Sequence, residues 1–135
     1  MSGKANAIKP QLIVEKSDGA LWGRVKINGN LIVDSASTLD KLKNKMKNLV
    51  FDFEELKVDD FVLSFDLTTF FDQYPFINIM EIANKSGINY GLMRQYSIGY
   101  KFPSEERVKK IEDTIREIGR QLSKIKLHKA QKAVA

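Results

Sequence analysis

Two dipeptides ten residues apart, Asp18-Gly19 and Asn28-Gly29, constrain this chain's first third more than any other feature. Two-residue hairpin loops favour type I′ turns, in which both loop residues have positive φ. Glycine meets that demand without a Cβ penalty, and Asn or Asp meets it cheaply. The flanking runs Gln11 to Lys16, Ala20 to Ile27 and Leu31 to Val33 therefore read as strands of an antiparallel meander. In the second run Leu21, Gly23, Val25 and Ile27 alternate with Trp22, Arg24 and Lys26, so a single face is expected to be buried.

Ser37, with Asp40 three residues on, reads as the N-cap of a helix bearing Leu39, Leu42, Met46, Leu49, Val50 and Phe53 at helical spacing. Its other side carries Lys41, Lys43, Lys45 and Lys47. The surrounding Asp34, Asp40, Asp52, Glu54 and Glu55 make that side a solvated face rather than a nucleic-acid patch. Phe61 to Asp66 alternates as a fourth strand, which predicts a β-β-β-α-β lobe over residues 8–66. Leu67 to Tyr74 then reads as a short helix stopped by Pro75, with Phe70, Phe71, Tyr74 and Phe76 as core aromatics.

From residue 79 the apolar period changes to that of paired helices. Ile79, Ile82 and Ala83 mark the inner face of a helix ending at Ser86; Gly87 turns the chain, and Asn89 caps a second helix. Ala83 is small where the helices are expected to cross, and Ile88, Met93 and Tyr96 are expected to pin one helix to the other. At about 100° per residue, Gly91, Arg94, Gln95 and Ile98 fall together on the opposite side. Arg can bond guanine O6 and N7, Gln can bond adenine N6 and N7, and glycine lets a backbone approach closely. The pattern predicts a helix-turn-helix whose second helix enters a DNA major groove. Asn89 and Tyr90 would reach bases or phosphates, and Lys101 and Ser104 would reach phosphates.

Ser104 also reads as the N-cap of a long helix, with Glu105 and Glu106 at its positive end. Val108, Ile111, Ile115, Ile118, Leu122 and Ile125 are spaced 3, 4, 3, 4, 3 along it. The early members are expected to close the helix-turn-helix core. Leu122 and Ile125 lie beyond so small a core and point to a second subunit, hence a homodimer or higher homo-oligomer. The second lobe would run over residues 67–127, followed by a disordered basic tail at residues 128–135.

Charge supports a polyanionic partner. The formal net charge is +5; residues 1–100 hold twelve Lys/Arg against twelve Asp/Glu, whereas residues 101–135 hold ten against five. No apolar run approaches the roughly 20 residues that span a bilayer, so no membrane partner is expected. The opening Met1-Ser2-Gly3-Lys4-Ala5-Asn6 lacks the apolar stretch of a secretory signal, and the chain has no cysteine, which points to the cytoplasm. No catalytic constellation emerges. The one histidine, His128, sits in the basic tail, the glycines match no phosphate or dinucleotide loop, and Asp66 reads as a helix cap rather than as a metal ligand beside Asp72. Neither an enzyme nor a cofactor is expected.

The order of these α+β elements, a β-β-β-α-β lobe followed by an all-α helix-turn-helix lobe, resembles the HicB-like antitoxins. The likeness is strongest in Phe70-Phe71-Asp72-Gln73-Tyr74-Pro75-Phe76-Ile77-Asn78, Gly87-Ile88-Asn89, Leu92-Met93-Arg94-Gln95-Tyr96 and Gly99 to Ser104. The chain departs from the family pattern in lacking a Pro-Gly-Cys-like turn and in having Leu42 where a small alanine is common. The resemblance implies a degraded ribonuclease H-like lobe that blocks a small ribonuclease toxin, joined to a transcriptional repressor of a double-stranded DNA operator. The alternative is an interaction or oligomerisation module without specific DNA binding.

Overall fold

Both X-Gly dipeptides form the turns their chemistry requires. In the computed structural model, which describes residues 7–131, Asp18 and Gly19 have φ of 52° and 76°, and Asn28 and Gly29 have 52° and 80°. They join β2 (Gln11–Ser17), β3 (Ala20–Ile27) and β4 (Asn30–Ala36) as an antiparallel meander. The expectations for the chain's opening residues and for 132–135 of the tail lie outside the described residues; residues 128–131 are exposed and without regular structure.

The chain is α+β and divides into two units, Met1–Tyr74 and Pro75–Ala135. The first adds to the meander a two-residue β1 (Ala7–Ile8), helix α1 (Leu39–Glu54), a two-residue β5 (Lys57–Val58), strand β6 (Val62–Phe65) and helix α2 (Leu67–Gln73). Strand β6 lies parallel to β2, with Gln11 opposite Val62, so the four-stranded sheet has the order β4-β3-β2-β6. The pair β1–β5 forms a separate parallel bridge. The expected β-β-β-α-β order thus lacked two strands, each too short to show a period, and β4 extends beyond the expected Leu31 to Val33. Helix α2 belongs to this unit, whereas the sequence grouped it with the second lobe.

One sheet face packs on α1. Leu12, Val14, Leu21, Val25, Ile27 and Ile32 are buried with Leu42, Met46 and Val50, each fully buried aliphatic side chain contributing about 1.5–3 kcal/mol. Leu42 fits because Gly23 faces it: a Cβ on Gly23 would stand 3.0 Å from Leu42 Cδ2 and 3.0 Å from Leu12 Cδ1. Large residue and missing side chain compensate each other across the interface.

Three expectations, two in this unit and one just beyond it, need correction. The α1 N-cap is Thr38, not Ser37: Thr38 has extended backbone and its side chain accepts from the Lys41 N–H. Phe53 is 69% exposed although it follows buried Val50 by three residues, and Phe76 is 81% exposed rather than part of an aromatic core. Of the expected aromatics Phe71 is buried and Phe70 and Tyr74 are half-buried, with Phe65 edge-on to Tyr74 at 5.9 Å, and Phe61 is buried in the core of the unit. The α1 lysines are engaged by neighbouring acids and carbonyls. Lys43 meets Asp60 at 3.5 Å, Lys45 meets Asp34 at 3.4 Å, and Lys47 donates to the Asp59 carbonyl.

Asp66 caps α2 by accepting from the Thr69 N–H and hydroxyl, and the buried Thr69 oxygen in turn accepts from the Lys16 N–H at 2.9 Å. Lys16 Nζ donates to Asp72 at 3.0 Å, and this bond holds the Asp72 carboxyl below its usual range. Helix α2 is thereby fastened to β2 by polar contacts at both of its ends.

The second unit consists of α3 (Ile79–Ser86), α4 (Tyr90–Ser97) and α5 (Glu105–Ser123). Asn78, Asn89 and Ser104 cap their N-termini. Its interior contains Ile82, Ala83, Ile88, Met93, Tyr96 and Ile111. Val108, expected to help close this core, is 48% exposed, because the covered part of the α5 stripe starts one turn later. Among the described residues, no helix is long and apolar enough to cross a membrane.

Candidate nucleic-acid interface

Helices α3 and α4 are joined by three residues, the geometry of a helix-turn-helix. Gly87 ends α3 in the left-handed region at φ 73°, its N–H and that of Ile88 returning to the Asn84 and Ala83 carbonyls. Ala83 is completely buried, and Ser86 is buried with its hydroxyl donating to the Ile82 carbonyl at 2.6 Å. On α4, Met93 and Tyr96 face inward.

The outward side of α4 holds Tyr90, Gly91, Arg94 and Ile98, all exposed, with Gln95 half-buried at its edge. Arg94 makes no ion pair or side-chain hydrogen bond among the described residues, so its guanidinium is available to a ligand. The Gln95 carbonyl accepts from the N–H groups of Tyr100 and Lys101, at 2.9 and 3.2 Å, which turns the chain beside α4 and leaves Lys101 exposed.

Three of the expected site residues also have work inside the unit. Asn89 Oδ1 accepts from the Leu92 N–H at 3.2 Å, and Ser104 Oγ accepts from the Arg107 N–H at 3.3 Å. A Cβ on Gly91 would come within 3.1 Å of Asn89 Oδ1, so glycine there protects the cap as well as leaving the backbone bare. Spacing did not reveal Arg107, whose Nη1 donates to the Tyr96 hydroxyl at 3.0 Å and ties α5 to α4. The pair is eleven residues apart, and only the tertiary fold brings it together.

Electrostatically the two units differ. Residues 1–74 hold ten Lys/Arg against eleven Asp/Glu, whereas residues 75–135 hold twelve against six. On α5 three of the five acids are answered within the helix: Asp113 by Lys109, Glu112 by Arg116, and Glu117 by Arg120, which holds the Glu117 carboxyl below its usual range. Lys85, Lys101, Lys110, Lys124 and Lys126 carry no ion pair among the described residues. A surface of this kind neutralises phosphates.

Among the described residues there is no group of three or more His, Asp or Glu side chains able to hold a metal ion. Comparison with protein-family models, with curated proteins and with solved structures finds no match to this chain.

Proposed function

We propose that this protein is a sequence-specific DNA-binding transcriptional repressor, acting in the cytoplasm as a homodimer with α4 of each subunit in a major groove. The observation that carries this reading is the unpaired, outward-facing Arg94 beside Gly91 and Gln95 on the second helix of a helix-turn-helix, within a unit of strong positive charge. In this reading Arg94 and Gln95 contact base edges, while Tyr90, Lys101, Ser104 and the α4 N-terminus at Asn89 meet the backbone.

Selection of bound duplexes from a random pool tests it. An inverted repeat with half-sites about 34–36 Å apart, or a multiple, is the expected product. Arg94→Ala should cost about 1–3 kcal/mol and relax the preference at one base pair. Equally weak binding to every sequence, unchanged by Arg94→Ala, would overturn the proposal.

The resemblance to HicB-like antitoxins supports a second activity, blocking of a small ribonuclease toxin by the N-terminal unit. One structural observation favours a partner there: Trp22, Leu31, Val33 and Val62 alternate with the core residues of their strands and are exposed, around an Arg24–Glu15 ion pair at 2.8 Å. Trp22 is the chain's single tryptophan, so its fluorescence reports docking on this face directly. A basic protein encoded beside this one should shift that emission; no change with a bound partner would place the contact elsewhere.

A further inference from the structure

Strand β4 forms one edge of the four-stranded sheet. The two-residue turn at Asn28-Gly29 makes Ile27 and Asn30 a hydrogen-bonded pair. Asn30, Ile32, Asp34 and Ala36 therefore bond to β3, while Leu31, Val33 and Ser35 turn their main-chain groups to the open edge. The subunit satisfies the last of these itself: the Ser35 N–H donates to Asp34 Oδ1 at 2.7 Å, and the Ser35 carbonyl accepts from Lys45 Nζ at 2.7 Å. Among the described residues, the outward N–H and carbonyl groups of Leu31 and Val33 have no such partner. Both side chains are exposed, at 62% and 50%. An apolar edge without Pro, Lys or a bulge is a template for another strand.

We infer that β4 pairs antiparallel with β4 of a second copy of this chain, joining two four-stranded sheets about a two-fold axis at Ile32. The inference goes beyond the functional reading, because it places self-association in the N-terminal unit and does not depend on DNA binding.

Register identifies the occupant. With the axis at Ile32, Leu31 lies opposite the partner's Val33 and Val33 opposite the partner's Leu31, so the open groups of the two strands bond to each other. Ser35 then lies opposite the partner's Gly29, in a turn where no strand continues, and Ser35 is the residue whose outward groups are already bonded. Moving the axis by one residue spoils the match. An axis at Leu31 leaves Val33 facing the partner's turn, and an axis at Val33 sets Leu31 against a satisfied Ser35.

Charge gives the direction. Lys45 sits at the Ser35 end of the strand, 3.4 Å from Asp34, and Glu54 sits at the other end, accepting from Asn28 and Asn30. Antiparallel pairing brings Lys45 to the end that holds the partner's Glu54, and symmetry repeats the contact; parallel pairing would set each beside its own copy. Trp22, one strand in from the edge, stays uncovered, so the outer face is enlarged by the seam.

Main-chain amide exchange of the full protein reads this edge residue by residue. As rising concentration carries the chain from monomer to dimer, the Leu31 and Val33 amides should gain protection, whereas Ser35, bonded within the subunit, should not change. Val33→Pro removes an outward N–H and leaves the β3 ladder intact. Leu31→Lys combined with Val33→Lys sets like charges opposite each other across the seam. Each should leave circular dichroism unchanged and weaken dimerisation about a hundredfold in sedimentation experiments, about tenfold for each of the two symmetric contacts. Lys45→Glu should weaken it too, and Lys45→Glu combined with Glu54→Lys should restore it. These two residues lie roughly 13 Å apart along α1, at 1.5 Å rise per residue, so rescue comes only through the partner. Unprotected Leu31 and Val33 amides in a dimeric protein, edge variants that dimerise normally, or a charge swap without rescue would overturn the inference. A monomeric wild-type protein would overturn it together with the homodimeric reading.

Discussion

Gly23 and Leu42 act as one unit of volume. A Gly23→Val side chain would be driven into the δ-methyls of Leu12 and Leu42, which a Cβ alone already approaches to 3.0 Å. The expected cost is about 1–3 kcal/mol by urea denaturation, the range for overpacking. Combining it with Leu42→Ala should return part of that loss, a non-additive result typical of residues in contact. Purely additive costs would show that the pair is not coupled. Gly91 presents the opposite case, because its two roles separate by magnitude. Gly91→Ala gains about 1 kcal/mol of helix propensity and endangers an Asn89 cap worth about 0.5–2 kcal/mol. Thermal stability should therefore change little while operator affinity falls about tenfold, one unfavourable contact's worth. A variant that binds normally would assign Gly91 to the cap alone.

At the level of elements, the fastening of α2 to β2 carries a pH dependence. The Lys16 ammonium donates to Asp72 and depresses its carboxyl pKa in the folded state. A depressed carboxylate contributes stability that is fully present above its unfolded pKa and is lost as pH falls through the lower folded value. Asp72→Asn should thus destabilise the protein at neutral pH, and the difference should begin to shrink as pH falls below about 4 and vanish once it is below the depressed folded value. The ion pair is partly exposed, so solvent screening limits the effect to about 0.5 kcal/mol. A difference constant with pH would show that the carboxylate charge is not responsible.

Elements with a chemical boundary signal were legible in the sequence. The β3 range follows from Asp18-Gly19 and Asn28-Gly29, and the α3 and α4 ranges follow from Gly87 and Asn89. Strands β1 and β5 were not, since two residues carry no period. Ser37 and Thr38 are equally able to cap, and the choice is made by backbone geometry that composition does not encode. Exposure of Phe53, Phe76 and Val108 depends on which surfaces the other elements cover, which is a tertiary fact. In the candidate site, the outward face of α4 was visible from angular spacing, whereas the Arg107–Tyr96 bond was not.

Considered whole, the molecule carries its positive charge in one unit. If that charge holds DNA, log affinity should fall linearly with log salt, and Lys101→Ala should lower the slope by about 1 while weakening all sequences alike. Titration of duplex binding from low to high salt measures both, and an unchanged slope would remove Lys101 from the backbone contacts. The meander has a consequence of a different kind, in time rather than in energy. Strands β2 to β4 are joined by two-residue turns, so their pairing closes only small loops, whereas β6 must return across the whole of α1 to set Val62 against Gln11. Loop closure makes contacts distant in sequence slower to form. During refolding the amides shared by β2, β3 and β4 should gain protection from exchange before those of β6, and the last event in assembling the sheet should be the arrival of its single parallel edge.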